Sequence, residues 1–385
     1  MAPASRQDFD GRCARARDRL TALNLDALLV THLPNVFYLC GLRATAAALF
    51  LAKGRMTLVT DARYITTART LAKSLASPTG VDIVQVGGSY DETIRDQLRA
   101  SGPALVGVEA DSLSLKRWTW LRDSLAGETT LVATDGVVEA GRIVKDAGET
   151  DCLRTAGRLL ADVVSTALRL AAAGRTEREV AADIERAMAT VGFDGRAFET
   201  IVASGLRSAL PHARPSQRRL SDGDLVVLDF GGVYDGYCVD LTRTGCVGRP
   251  RREATLLHAA VLEAQTAAIA TLRPGILASE VDAAARQVLE CHGLAKAFLH
   301  GTGHGLGLEV HEAPRIAPSS QLRRSGTDVV LQAGMVCTVE PGVYLPDVGG
   351  VRIEDDVLVT PDGCEVLTET SRELKTTGTG HDDGF

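Results

Sequence analysis

The chain has 385 residues, ample for a large core and for two domains rather than one. Its composition is that of an ordinary globular protein, 45% hydrophobic and 24% charged, and a net charge of −7 argues against an electrostatic grip on nucleic acid or an anionic membrane. No apolar run approaches a membrane span, MAPASRQDFDGRCARARDRL at the start has no apolar core of a secretory signal, and the eight cysteines are scattered without a CxxC pair, which reads as reduced thiols in a cytoplasm.

In chain order, residues 1–140 alternate short apolar strands with helical patterns and read as an α/β domain. Strands are expected at 27–30, 48–53, 56–61, 82–86, 105–110 and 131–135, with Lys53-Gly54-Arg55 as a hairpin turn and DETIRDQLRA as one of the helices. Nothing in this stretch makes a complete catalytic set. A boundary is expected near GRIVKDAGET, residues 141–150, followed by a long helix over roughly 147–172 that ends at Gly174. A second domain then runs over 146–372, and residues 373–385 read as a flexible tail.

The second domain contains an internal repeat. Gly174, Glu179, Val180, Ala182 and Gly192 recur as Gly275, Glu280, Val281, Ala283 and Gly293, each set outlining a helix between two glycines. Further on, GDLVVLDFGGVY (223–234) echoes GMVCTVEPGVY (334–344), and both strands reach a carboxylate six residues after the leading glycine, Asp229 or Glu340. A second carboxylate follows in each half, Asp240 or Glu354. The pattern predicts two similar units of paired helices and a β-hairpin, packed about a pseudo-two-fold with the carboxylates meeting at their junction.

A carboxylate in an apolar strand costs several kcal/mol unless it is paired or bound to metal. Asp229, Asp240, Glu340 and Glu354 all pose that problem, in LVVLDF, CVDLTRT, CTVEPG and VRIEDD. The non-metal alternative is that Asp229 caps a turn and that Arg243 and Arg352 pair with two of the four. Gathered like charges more simply call for a cation. Oxygen-rich ligation with one imidazole suits Mn²⁺, Zn²⁺, Co²⁺ or Fe²⁺, and four negative charges match two divalent ions that lower the pKa of a shared water.

The run HGTGHGLGLEVHE (300–312) has no GK[ST], and Pro314 stands where a phosphate-binding helix would run, so its glycines do not read as a nucleotide cradle. They read as small residues that let backbone approach a crowded site, with His304 as the imidazole ligand. His311 is placed near substrate, as a donor to a developing oxyanion or as a buried structural histidine. His300 and His292 read as structure or surface.

These residues bring the chain to a family. Residues 145–372 resemble the pita-bread metallopeptidases, a group that includes methionine aminopeptidase, aminopeptidase P and Xaa-Pro dipeptidase (prolidase), through LDFGGVYDGYCVDLTRT, GTGHGLGLEVHEAP, TVEPGVY, GGVRIEDDVLVT and IVASGLRSALPHARPS. The first domain is similar to the prolidase/creatinase N-domain through NVFYLCGL and TDARY, which methionine aminopeptidase lacks.

The resemblance implies an α/β N-terminal domain joined to an α+β pita-bread catalytic domain, and a metal-ligand set of Asp229, Asp240, His304, Glu340 and Glu354. Asp229 would bind one metal, His304 and Glu340 the other, and Asp240 and Glu354 would bridge, with a bridging hydroxide as nucleophile and Glu340 as proton shuttle. His212 and His311 would hold substrate and stabilise the tetrahedral intermediate, and Arg352 would orient the ligands. The implied cofactors are two divalent ions, Mn²⁺ or Zn²⁺ and otherwise Co²⁺. The implied substrate is an Xaa-Pro peptide, and the implied assembly a homodimer or homotetramer in which the loop near Arg43 or Tyr64 approaches a neighbour's active site.

One departure concerns the arginine that some prolidases place shortly before the GMV strand to hold a dipeptide's carboxylate, because Arg323 and Arg324 lie somewhat far upstream. The reading favours an Xaa-Pro dipeptidase, with an aminopeptidase P acting on longer peptides as the alternative. A non-catalytic binding protein on this fold would lack several ligands, and a creatinase-like amidinohydrolase works without the metal set.

Overall fold

The structure, a computed structural model, describes residues 8–74 and 80–377. The chain divides into two compact units, one ending at Arg142 and the other beginning at Ile143. Among the described residues, no helix is long and apolar enough to cross a membrane.

The first unit is a six-stranded sheet with helices. Its elements are α1 (Phe9–Ala22), β1 (Ala27–Val30), α2 (Leu33–Cys40), β2 (Ala47–Ala52), β3 (Met56–Thr60), α3 (Ile65–Ser74), β4 (Val81–Gln85), α4 (Tyr90–Ser101), β5 (Leu105–Glu109), α5 (Leu115–Ser124), β6 (Thr130–Thr134) and α6 (Glu139–Arg142). The strand order is β4-β3-β2-β1-β5-β6. Both faces of β1, ALLV, are buried, as its unbroken apolar run requires. The hairpin at Lys53-Gly54-Arg55 closes with the Ala52 N–H on the Arg55 carbonyl (2.9 Å) and sets β2 antiparallel to β3. Ser89 and Glu92 open α4 with a reciprocal capping box, and Gly102 closes it in the left-handed conformation. Buried Glu109, at the end of β5, accepts the Thr31 and His32 N–H groups (2.7 and 2.8 Å) and so fixes the entry into α2.

The second unit repeats one pattern twice. Its first half comprises α7 (Ala147–Leu170), α8 (Glu177–Val191), β7 (Gly195–Arg196), β8 (Ile201–Ser204), a 3₁₀ turn over Gly205–Ala209, β9 (Leu225–Tyr234) and β10 (Tyr237–Val247). Its second half comprises α9 (Arg252–Thr271), α10 (Ala278–Cys291), β11 (Gly303–Gly305), β12 (Glu312–Ile316), α11 (Ser319–Ser325), β13 (Val336–Val339), β14 (Gly342–Leu345), β15 (Gly349–Arg352), β16 (Asp355–Thr360), β17 (Gly363–Val366) and β18 (Thr376–Thr377). One sheet runs β18-β10-β9-β7 with β8 also on β9, another runs β12-β11-β13-β16-β17, and β14 pairs with β15.

The repeat read from the glycines is present bond for bond. The Gly174 N–H donates to the Leu220 carbonyl (2.8 Å) and the Gly275 N–H to the Leu331 carbonyl (2.9 Å). The Gly223 N–H donates to Val247 (2.7 Å) and the Gly334 N–H to Val359 (2.8 Å). Gly223 and Gly334 hold φ of 83° and 92°, a conformation that side chains with a Cβ rarely adopt, so the motif needs glycine in both copies.

The halves differ in continuity. Strands β9 and β10 run ten and eleven residues without interruption, whereas their counterparts are split into β13 and β14 at Glu340-Pro341, and into β15 and β16 at Ile353-Glu354. Pro341 has no N–H to give to a ladder.

Two residues of the tail expected over 373–385 form a strand. Thr376 and Thr377 pair with Cys246 and Val247 of β10, and the Cys246 N–H donates to the Lys375 carbonyl (3.0 Å). Residues 376–377 thus extend the sheet edge, where β-branched threonine is favoured, and residues 378–385 lie outside the described residues.

Candidate metal centre and active site

Strand register brings the first two carboxylates together. Thr242 on β10 faces Asp229 on β9, and Asp240 lies two residues from Thr242, so the pleat puts Asp229 and Asp240 on one face. The second pair sits at the ladder breaks, which release their N–H groups for other partners. The Glu340 N–H donates to the Thr302 carbonyl (2.7 Å), and the Glu354 N–H donates across the halves to the Thr242 carbonyl (3.1 Å). Thr242 Oγ1 donates to Glu354 Oε2 (2.6 Å), and Arg243 Nη1 donates to the Glu354 carbonyl (2.6 Å).

His304 lies on β11, paired with both β12 and β13. Here the glycines serve close backbone approach: a Cβ on Gly303 would stand 2.0 Å from the Thr338 carbonyl oxygen, and one on Gly305 2.2 Å from that of Ala313. The His304 Nδ1 faces the Gly305 carbonyl (3.1 Å), an acceptor only, which assigns the ring proton to Nδ1 and leaves the Nε2 lone pair for a ligand. That Nε2 is 3.5 Å from Glu340 Oε1. Burial, with His311 nearby, lowers the His304 pKa to about 4, so the ring is neutral at pH 7.

The fit to divalent cations rests on the acids. Asp229 Oδ1 and Asp240 Oδ1 are buried and have no hydrogen-bond partner among the described residues. Asp240, His304 and Glu354 bring one ligand atom each within 4.8 Å of one another. Burial first, and then neighbouring carboxylates, raise Asp240 and Glu340 well above the usual acid range and Glu354 to about 8. Such a cluster retains protons until cations balance it.

Arg352 pairs with one of the acids, as the non-metal alternative allowed, and Arg243 does not. Arg352 Nη2 donates to Asp229 Oδ2 (2.5 Å), whereas Arg243 Nη2 donates to Asp355 (2.7 Å), which also accepts from Arg372 (2.6 Å) and Gln265 (2.8 Å). Asp356, next in the chain, accepts the Asp240 N–H (2.9 Å) and so fixes the backbone of a ligand candidate.

A network that the sequence reading missed continues from Arg352, whose Nη1 donates to Tyr344 Oη (2.8 Å). His300 Nδ1 faces the Gly301 carbonyl (2.8 Å) and its Nε2 faces Tyr344 Oη (2.9 Å), which makes Tyr344 the donor to His300. His300 is therefore a part of the site wall, held neutral by burial with its pKa lowered to about 4. His292 sits apart and pairs with Glu263 (2.8 Å).

The four carboxylates, His300, His304 and Arg352 line one cavity of about 940 Å³ with His212, His311 and Arg315. The His311 ring lies 4.3 Å from that of His304, centroid to centroid. Phe198, Ile201 and Pro211 give the cavity an apolar wall. Ile201 faces Asp229 in the β8–β9 register, and the Phe198 ring occupies the space that a Cβ on Gly231 would fill. Arg323 and Arg324 are exposed on α11 and do not line the cavity. Arg315 does line it, directly opposite His304 in the β11–β12 register, and it has no ion pair or hydrogen bond among the described residues. The sequence offered HEAPR, but only the register places that arginine.

An α/β unit joined to a twice-repeated α+β unit, with carboxylates and imidazoles around a cavity, defines a hydrolase of the metal-dependent class. Comparison with known proteins gives the family. Residues 151–361 match the model of metallopeptidase family M24, and residues 12–144 match the creatinase/prolidase N-terminal domain. An Xaa-Pro dipeptidase of Pyrococcus horikoshii is 37% identical over 91% of this chain and 95% of its own length. An Xaa-Pro dipeptidase structure from Bacillus anthracis superposes with a TM-score of 0.89 at 35% identity, covering 96% of this chain and all of that one (100%). An X-Pro aminopeptidase structure from Thermotoga maritima gives 0.84 at 31% identity, over 95% and 99% of the two chains. The chain belongs to metallopeptidase family M24, with the pita-bread fold and the divalent-metal chemistry of that family.

Proposed function

We propose that the chain is an Xaa-Pro dipeptidase with two divalent ions, Mn²⁺, Zn²⁺ or Co²⁺, held by Asp229, Asp240, His304, Glu340 and Glu354. The observation that carries this reading is the convergence of all five side chains from both halves on one cavity. Asp229 would hold one ion, His304 and Glu340 would hold the other, and Asp240 and Glu354 would serve both. Bound there, the ions acidify water and polarise the scissile carbonyl at neutral pH. Glu340 takes the proton released by the attacking water and returns it to the proline nitrogen as that leaves. His212 and His311 bind substrate at its carbonyl oxygen and donate to the charge that develops there. Arg352 holds Asp229 in place through its 2.5 Å bond.

Arg315 supports the preference for dipeptides, since a cation on the cavity wall with no protein partner is suited to a free C-terminal carboxylate close to the scissile bond. The likeness to the Thermotoga maritima aminopeptidase favours the second reading, removal of Xaa from longer Xaa-Pro peptides. The unit over 146–372 is the catalytic domain and that over 1–140 an assembly element of a cytoplasmic homodimer or homotetramer.

The test is hydrolysis by the purified protein, loaded with Mn²⁺ or Zn²⁺, of Xaa-Pro dipeptides against Xaa-Pro-Yaa tripeptides. Dipeptides should be preferred, and Arg315→Met should erase the preference by raising KM for dipeptides alone. A preference for tripeptides would establish the second reading, and no cleavage with any divalent ion would refute both.

A further inference from the structure

We propose that Glu177 is a positioning residue for the peptidase reaction, whose carboxylate locks both ends of the segment 205–215 and thereby fixes His212 in the cavity. The proposal rests on the reading of that cavity as a peptidase site in which His212 touches substrate.

Glu177 is the first residue of α8 and is fully buried. Each carboxylate oxygen serves one end of the segment. Oε1 accepts the Ser204 N–H (2.9 Å) and the Ser204 hydroxyl (2.8 Å). Oε2 accepts the Ser216 N–H (2.9 Å) and the Ser216 hydroxyl (2.6 Å). Arg207 Nε adds a charged donor to Oε2 (3.1 Å), and its Nη2 reaches across to the Arg214 carbonyl (2.7 Å). A loop closed at both ends on one charged acceptor loses most of its freedom, since charge-assisted bonds are the stronger kind. What the segment presents between these ends is functional: the Pro211 carbonyl accepts from Arg352 (3.3 Å), and His212 lines the cavity.

Helix capping does not account for Glu177. The N-cap of α8 is Thr176, which already forms a reciprocal capping box with Glu179. Burial alone raises a carboxyl pKa, yet the bonds from Ser216 and Ser204 outweigh burial and leave Glu177 below its ordinary value. The repeat contains a parallel. On α10, which matches α8, Asp282 Oδ1 accepts the Thr302 N–H and hydroxyl (3.0 and 2.9 Å), just ahead of His304. Each half therefore anchors a histidine-bearing segment to a carboxylate on its second helix.

The test uses the full chain loaded with Mn²⁺ and the variant Glu177→Gln, whose amide keeps one acceptor oxygen and must release one end. Trypsin cleavage after Arg207, which precedes Ser208, should accelerate about tenfold or more while the melting temperature stays near that of the parent. The kcat/KM on an Xaa-Pro dipeptide should fall about ten- to a hundredfold, the scale of a misplaced positioning group. In a His212→Ala background the same substitution should cost nothing further. Losses that multiply across the two substitutions, or unchanged trypsin cleavage, would overturn the proposal. If Glu177→Gln does not fold, Ser204→Ala and Ser216→Ala take its place, each expected to lose about threefold with the same collapse in the His212→Ala background. If the parent cleaves no Xaa-Pro substrate, the peptidase reading fails, whereas the trypsin arm still decides whether Glu177 holds the segment.

Discussion

The two halves of the catalytic unit share a hydrogen-bonding plan and spend it differently. In the first half, Asp229 and Asp240 stand inside an uninterrupted antiparallel ladder, and the pleat alone puts them on one face. In the second half, Glu340 and Glu354 stand where the ladder is broken, and their N–H groups go to Thr302 and Thr242 instead. A short carboxylate rooted in a rigid strand and a longer one rooted at a break reach the same place from opposite sides. The two copies thus share a scaffold, and only the second departs from it by breaking its strands at the site.

The largest effects should come from the residues on which the halves converge. Asp240→Ala and Glu354→Ala should each lower kcat/KM roughly a thousandfold and abolish stoichiometric metal uptake by elemental analysis, because each removes a proposed shared ligand. If either variant retained both metal and activity, the halves would not contribute jointly. Next in size is Arg352→Met, which removes the second half's cation from buried Asp229 and leaves that carboxylate uncompensated. We expect about 3–5 kcal/mol of lost stability in the metal-free protein, read by denaturant unfolding, and a smaller loss once metal is added.

The smallest effect separates the helices. Helix α9 of the second half carries buried His258, whereas α7 of the first half has no histidine. Burial, aided by the charge of Arg243, depresses the His258 pKa to about 4 from 6.5. The unfolded chain therefore takes up this proton first, and stability present above pH 6.5 is lost as pH falls from 6.5 towards 4. His258→Leu should flatten that part of the stability profile by on the order of 2 kcal/mol. An unchanged slope would place the titration elsewhere.

How legible all this was in the sequence depended on the kind of constraint. Backbone conformation shows through directly: the glycines at 174, 223, 275 and 334 recur because the two copies need the same left-handed turns. Carboxylates in apolar strands show through because burying them is costly. Partnerships between side chains far apart in sequence do not. Nothing in the spacing links Tyr344 to His300 or Glu177 to Ser216, and Arg315 reaches the cavity only through a register that carries a bulge at His304. Thr376 and Thr377 were read as tail because a two-residue edge strand has no periodicity to detect.

The bonds that Glu354 makes to Thr242 and Arg243 also bear on molecularity. A break in the connection over 248–251, between β10 and α9, would leave two fragments, neither with all four of the gathered carboxylates. Their association would then rest on these bonds and on the core that Leu225 and Cys246 share with α9 and α10. The covalent link fixes at one-to-one a stoichiometry that those contacts would otherwise have to enforce.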